Sequence, residues 1–302
     1  MVQNSVATFV ANPADTPLTL AHINELQRLL QDAGCLAITP DWLADDTACD
    51  IKFDSFLHEH VIKTITPYLA DKPIDWAIQH TEHRRKKLIL SDMDSTMIAQ
   101  ECIDELAAEA GIGAKVADIT ERAMNGELDF TAALEERIGL LKGLPESVLE
   151  NVYAERITLS EGAKTLIATM KKNGATAMLV SGGFTFFTER VAKALGFDAH
   201  EANILDFKEG ALTGKVIKPV LDKHAKEATL QRLITELDIT AKNTTAIGDG
   251  ANDLPMIQAS GLGIAYRGKP IVQADADAAI NHTDLTTLLY FQGYKQGEFV
   301  TS

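Results

Sequence analysis

Leu88-Ile89-Leu90-Ser91-Asp92-Met93-Asp94-Ser95-Thr96 is the stretch that decides the fold. A short apolar run that breaks off into acidic and hydroxyl residues predicts a buried strand whose carboxyl end opens on a polar loop. In a regular strand Asp92 and Asp94 share one face, and where the backbone turns at the strand end both reach one pocket. One carboxylate can then attack phosphorus while the other serves as acid and base. Taken alone, the same residues also describe a polar turn in which Asp, Ser and Thr cap a helix.

The signature recurs downstream. Ala175–Val180 is apolar and stops at Ser181-Gly182-Gly183, and Thr244–Ile247 is apolar and stops at Gly248-Asp249-Gly250-Ala251-Asn252-Asp253. Three such strands predict an α/β class, with a parallel sheet and active loops at the strand carboxyl ends. Ser181 with the bare N–H groups of Gly182 and Gly183 makes a turn suited to an anion. Asp249, Asp253 and the Asn252 amide are hard oxygen donors of the kind Mg²⁺ takes, and a cation would offset the repulsion among four carboxylates. A dinucleotide fingerprint fits poorly, because Asp253 stands where a third glycine is needed. Gly210 to Val216 reads as a hairpin, since it lacks the spacing and the Ser/Thr of a phosphate loop. Lys226 lies on a predicted helix. Singly, each of these has a duller reading as an ordinary turn or a solvated lysine.

The chain has 302 residues, 46% of them hydrophobic, which is enough for two domains. A net charge of −15 argues against binding nucleic acid or an anionic membrane surface. The three cysteines, Cys35, Cys49 and Cys102, form no C-x-x-C; this excludes a disulfide framework and points to a reducing, cytoplasmic setting. The first residues lack a signal-peptide pattern, and no run approaches the roughly 20 apolar residues of a membrane span. Of 20 glycines only Gly34 precedes residue 91. The basic run His83-Arg84-Arg85-Lys86-Lys87 reads as a solvated linker, so a boundary is expected near residue 85.

Residues 1–85 read as β-α-β-β-α-β, a small α+β module of ferredoxin-like type. Its expected strands are Ser5–Val10, Cys35–Ile38, Ala48–Phe53 and Ile74–Ile78. Its helices are Leu18–Leu30, started by Thr16-Pro17, and Phe56–Leu69. Residues 86–302 form the second unit. Its insert of about 97–160 is helix-forming and too long for one crossover, so a helical lid is expected.

In this order the motifs resemble those of the haloacid dehalogenase superfamily of aspartate-nucleophile phosphatases. Glu101-x-x-Asp104-Glu105-Leu106-Ala107, Phe130, Arg137, Leu140 to Pro145 and Ser160-Glu161-Gly162 extend the likeness to its phosphoserine phosphatase family, over roughly residues 86–295. Ser91 and Met93 depart from the aromatic residues often found around the first aspartate. The resemblance implies a Rossmann-like core with a helical cap inserted after the first strand. It implies Asp92 as nucleophile, Asp94 as general acid and base, and Lys226, Ser181, Gly182, Gly183 and Asn252 around the phosphoryl group. It further implies Mg²⁺ on the Asp92 and Asp249 side chains and the Asp94 backbone carbonyl, with Asp253 behind them. In the cap, Glu101 and Arg137 would read the ammonium and carboxylate of O-phosphoserine, and Met124 and Phe130 would supply apolar walls. The pathway step implied is the last of serine biosynthesis.

The N-terminal module resembles ACT-type regulatory domains. It lacks an amino-acid-binding glycine turn, so effector binding and packing in a homodimer both stay open. Two enzymatic or regulatory alternatives remain: another small phosphate as substrate, or an amino-acid sensor with secondary catalysis. A binding protein on a dead scaffold would need a missing catalytic group, and Asp92, Asp94, Lys226, Asp249 and Asp253 are all present.

Overall fold

The computed structural model describes residues 4–37, 40–54, 58–124 and 127–301; the side chains of Ala37, Met124, Phe130 and Lys223 fall outside that description. The first part runs β1 (Ser5–Ala11), α1 (Leu20–Asp32), β2 (Leu36–Ala37), β3 (Asp41–Ala44), β4 (Ala48–Asp54), α2 (His58–Leu69) and β5 (Ile74–His80). Then β6 (Leu88–Ser91) leads into helices α3 (Cys102–Glu109), α4 (Gly113–Met124), α5 (Phe130–Leu140) and α6 (Glu146–Glu155). The chain continues as α7 (Ala163–Lys172), β7 (Thr176–Phe184), α8 (Thr185–Leu195), β8 (Ala199–Lys208), β9 (Ala211–Ile217) and α9 (Lys223–Glu236). It closes with β10 (Thr244–Gly248), α10 (Leu254–Ala259), β11 (Gly263–Tyr266), α11 (Pro270–Asp275), β12 (Ala278–Ile280) and α12 (Thr287–Phe291).

The strands lie in the order β2-β4-β1-β5-β12-β11-β10-β6-β7-β8-β9, with β3 paired to β4. From β12 to β8 every pairing is parallel. β6 is fully buried, and its alternation serves two cores: Ile89 packs with the cap side, Leu88 and Leu90 with the α9–α10 side. Burying each such side chain contributes about 1.5–3 kcal/mol. Successive strands run outward from β6 in both directions, β7 and β8 to one side and β10 to β12 to the other. The sheet therefore switches direction between β6 and β10, and a crevice opens above their carboxyl ends. The insert after β6 covers that crevice as helices α3 to α6.

Sequence and structure part at several elements. The first helix begins after Thr19, whose hydroxyl accepts from the His22 N–H, and not at Thr16-Pro17. β7 runs on through Ser181, Gly182 and Gly183 to Phe184. β3 is an unforeseen strand; its Leu43 and Ala44 turn toward the core beneath the second unit, so burial overrides its weak local pattern. Of the expected strand Cys35–Ile38, Ile38 lies outside the described residues, as does Phe56 of the second helix. Gly210 does sit in a hairpin turn, between β8 and β9.

The basic run is solvated at His83, Arg85 and Lys87, but Arg84 and Lys86 turn inward. The Arg84 guanidinium grips Asp50 of β4 with two N–H groups and also donates to the Thr8 hydroxyl at 2.7 Å and the Phe291 carbonyl at 2.8 Å. Lys86 is buried, donating to the carbonyls of Lys242 at 2.9 Å and Gly261 at 3.2 Å. The donors of both cations find acceptors, which offsets the cost of taking charge out of water. Asp75 of β5 receives the N–H groups of Asn281, His282 and Thr283 and the Thr283 hydroxyl. Trp76 pairs with Ala279 of β12, so one sheet runs through both parts of the chain.

Candidate active site

The loop after β6 is fixed by its own backbone. Asp92 donates its N–H to Ile247 of β10 at 3.0 Å, and the Met93 carbonyl accepts from Thr96, Met97 and Ile98. Ser95 sits at φ 52°, in the left-handed region. This fold of the loop sends the two aspartates to different partners. Asp92 Oδ1 accepts the Met93 N–H at 2.7 Å, while Oδ2 lies 2.8 Å from Lys226 Nζ. Asp94 Oδ1 accepts the Cys102 N–H at the start of α3, and Oδ2 accepts the Ser181 hydroxyl at 3.1 Å. Gly183 spends its N–H on Ser181 Oγ at 2.8 Å, and a Cβ on Gly183 would lie 2.6 Å from Asp94 Oδ2. Only glycine allows β7 that approach.

On the other side, β10 brings in Asp249, Asn252 and Asp253. Lys226, reaching over from α9, is 2.6 Å from Asp253 Oδ1, and Asp253 Oδ2 accepts the N–H groups of Asp249 and Gly250. A Cβ at Gly248 would sit 2.4 Å from that carboxyl group, so the turn requires glycine there. Asp92, Asp249 and Asp253 each bring a carboxylate oxygen within 4.8 Å of the others. Both Asp253 oxygens are already engaged. Among the described residues, the Asp249 side chain has only a long contact with the Thr96 hydroxyl, at 3.5 Å. Asp249 thus has the most coordinating capacity to spare, and beside it Asp92, held by one N–H and Lys226, is less heavily engaged than Asp253, so the oxygen chemistry of the pair fits a small divalent cation.

Asp92, Asp94, Glu101, Arg137, Ser181, Gly182, Gly183, Asp249 and Asn252 all line one cavity of about 50 Å³, closed over by Ile103, Ala123, Leu134 and Phe184. The structure thus brings together every site residue the sequence singles out, apart from two whose side chains lie outside the description. Those two are Met124 and Phe130, which end α4 and begin α5. Lys226 and Asp253 stand directly behind Asp92. Glu101 accepts from the Ser95 hydroxyl. Arg137 donates Nε to the Ala133 carbonyl and Nη1 to the Thr120 hydroxyl. The cavity adjoins a wider vestibule, also bordered by Glu101 and Asp249, between the cap and the Tyr266–Lys269 turn.

Burial dominates the electrostatics. It pushes Asp92 up to about 8, with Asp253 adding to the effect and Lys226 opposing it. Asp94 is also raised by burial, against the N–H of Cys102 and the Ser181 hydroxyl. Glu101 and Asp249 are driven well above the carboxylate range by burial first, then by their acidic neighbours. Burial works against the Lys226 ammonium, but Asp253 and Asp92 more than offset it, and its net shift is upward. Burial also lowers Arg137, with Glu101, Asp104 and Asp94 resisting. Asp92, Asp94, Glu101, Asp249 and Asp253 crowd a space whose buried cations are Lys226 and Arg137. A divalent cation between Asp92 and Asp249 would reverse the sign of their shifts.

Sequence reasoning missed the apolar walls Ile103, Ala123, Leu134 and Phe184, and it missed Thr120. Helical spacing carried a signal for part of this: Leu134 and Arg137 are three apart on α5, and Glu101 and Asp104 flank the first turn of α3. No spacing pointed to Thr120.

A family model for haloacid dehalogenase-like hydrolases matches residues 89–258. The chain belongs to this family. Phosphoserine phosphatase of Archaeoglobus fulgidus is 46% identical over 208 residues, which cover 69% of this chain and 60% of that protein. The chain thus spans less than two thirds of that relative. A haloacid dehalogenase family hydrolase from Salmonella enterica serovar Typhi superposes with a TM-score of 0.81 at 31% identity, covering 95% of this chain and 98% of its own. A phosphoserine phosphatase solved as a phospho-aspartyl intermediate analogue superposes with a TM-score of 0.66 at 42% identity, covering 68% of this chain and 99% of its own. Among the described residues, no helix of this hydrolase is long and apolar enough to cross a membrane.

Proposed function

We propose that this hydrolase is a Mg²⁺-dependent phosphoserine phosphatase that works through a phosphoryl group carried on Asp92. The observation that carries the reading is the pairing of opposite charges in one small space: Glu101 and Arg137 line the same cavity as Asp92. A phosphate monoester bearing an ammonium and a carboxylate matches that triad of charges. The named relatives support the substrate class.

In the first step an Asp92 carboxylate oxygen attacks phosphorus, the bond from phosphorus to the serine oxygen breaks, and Asp94 gives its proton to the departing oxygen. Burial, which raises Asp94, favours the protonated form this step needs. In the second step Asp94 takes a proton from water as that water attacks the aspartyl phosphate, freeing Asp92 and inorganic phosphate. Lys226, the Ser181 hydroxyl and the Gly182 N–H would oppose the charge on the phosphoryl oxygens, with Asn252 at the cavity wall. Gly183 contributes by holding Ser181. Mg²⁺ would be held by the Asp92 and Asp249 side chains and the Asp94 backbone carbonyl, and would supply positive charge for the transferring group. Asp253, held by Lys226 and two N–H groups, would orient this set from behind. Met124 and Phe130 complete the proposed walls.

The remaining assignments follow the same reading. Residues 1–85 are taken as an ACT-like domain and 86–302 as the phosphatase, with the cap at about 97–160. The antiparallel order β2-β4-β1-β5, with α1 and α2 as its crossovers, supports a ferredoxin-like module. A cytoplasmic enzyme of serine biosynthesis, in homodimer form, completes the proposal. The test is phosphate release from O-phospho-L-serine, phosphoethanolamine and an aryl phosphate, with and without Mg²⁺. The expected kcat/KM is highest for phosphoserine; equal values across the three substrates would contradict the reading.

A further inference from the structure

Arg137 cannot accept a hydrogen bond, so its contact with Thr120 fixes which way that hydroxyl faces. Nη1 of Arg137 donates to Thr120 Oγ1 at 2.9 Å. The single Thr120 proton is then free for the Asp104 carboxylate at 2.6 Å or for the Val116 carbonyl one turn back at 3.0 Å. The shorter bond to a charged acceptor is the stronger one. The result is a polarised chain from Arg137 through Thr120 to Asp104, joining three cap helices, α5, α4 and α3. Thr120 and Arg137 are both buried, at 3% and 5% exposure. No fully enclosed side-chain nitrogen or oxygen among the described residues lacks a partner; Nη2 of Arg137, which has none among them, is therefore not enclosed, and Arg137 lines the cavity.

We propose that Thr120, backed by Asp104, is a positioning residue that sets substrate selectivity by aiming the Arg137 fork at the substrate carboxylate. This rests on the phosphoserine reading above and adds to it. A guanidinium on a long side chain has several rotamers, and a carboxylate needs its planar fork at one angle. Thr120 removes that freedom before substrate arrives, so the cost of ordering Arg137 is not taken from binding. Asp104 orients the hydroxyl and balances the buried charge from a distance that leaves the guanidinium free to pair with substrate. Asp104 lies in the first turn of the helix that Glu101 immediately precedes, so the elements that recognise ammonium and carboxylate are tied into one frame.

The test compares Thr120→Val, Thr120→Ser and Arg137→Ala on phosphoserine and on phosphoethanolamine, which lacks only the carboxylate. Thr120→Val keeps the shape and deletes the hydroxyl. It should raise KM for phosphoserine about tenfold, the loss of one hydrogen bond to a charged group, with kcat within about twofold. KM for phosphoethanolamine should not move, and Thr120→Ser should restore phosphoserine KM. Unfolding midpoints of the three variants close to that of the wild type would exclude a folding defect. An unchanged phosphoserine KM in Thr120→Val, or an equal loss on both substrates, would overturn the positioning role. Arg137→Ala keeps the two failures apart: if it is selective for phosphoserine while Thr120→Val is silent, only the positioning role fails. If Arg137→Ala itself affects both substrates alike, the carboxylate reading falls with it.

Discussion

The antiparallel and parallel halves of the sheet both bury charge, and they treat it in opposite ways. In the antiparallel half, Asp50 is saturated by the Arg84 fork and the Thr8 hydroxyl, and Asp75 by three backbone N–H groups and a threonine. Nothing is left over for a ligand. In the parallel half the buried carboxylates outnumber the buried cations, and Asp249 is nearly without partners. The residue types are the same. What separates a strut from a reactive site is whether the lone pairs are spent inside the protein. A site that leaves them unspent stabilises the fold less and keeps them for substrate and metal.

The sharpest way to break this contrast is Asp92→Asn. Turnover should fall roughly 10⁴-fold or more, because the amide is no nucleophile. The thermal midpoint in metal-free buffer should hold or rise, since the variant removes from a crowded set a carboxyl group whose charged form burial disfavours. A lower midpoint with intact turnover would erase the distinction between the halves. Chelation comes next. EDTA should abolish phosphate release and Mg²⁺ should restore it. Added Mg²⁺ should raise the midpoint of the wild type but not that of Asp249→Ala, as expected for a ligand that binds only the folded site. Full activity in metal-free buffer would contradict the assignment.

Arg84→Ala probes the strut. It leaves Asp50 buried at 2% side-chain exposure without its counter-charge, and should cost about 3–5 kcal/mol in denaturant unfolding. The kcat/KM of the folded enzyme should stay within about twofold. A selective loss of activity with unchanged stability would make Arg84 part of the chemistry instead.

How much of this was legible beforehand follows the same divide. Asp92, Asp94, Ser181 and Asp249 could be found because each follows an apolar run that must be a buried strand, and strand ends in a parallel sheet converge on one crevice. Glu101 and Arg137 were legible only through likeness to a family, since a charge on a helix carries no local mark of which way it faces. Arg84 and Lys86 were misread for the same reason. A basic run looks solvated until the chain supplies acceptors from residues as distant as Tyr290, Phe291 and Gly261. Thr120 left no trace at all, because its meaning lies in two partners on other helices. β3 was missed because four residues held by tertiary burial carry little periodicity.

The smallest effect belongs to His58, on the antiparallel side. Burial lowers its pKa from 6.5, with His80 adding to the shift. The folded state therefore resists protonation more than the unfolded chain does. Stability should be complete above the unfolded value and decline as pH falls through it. His58→Gln should flatten that decline. A slope unchanged in the variant would place the sensitive group elsewhere.

The claim on which the mechanism turns is that Asp92 carries the phosphoryl group between two displacements. The stereochemistry at phosphorus reads this directly, using an isotopically chiral phosphorothioate analogue of phosphoserine hydrolysed in labelled water. Two in-line displacements through Asp92 predict net retention of configuration. Net inversion would mean that water attacks the substrate in a single step, and would contradict the account.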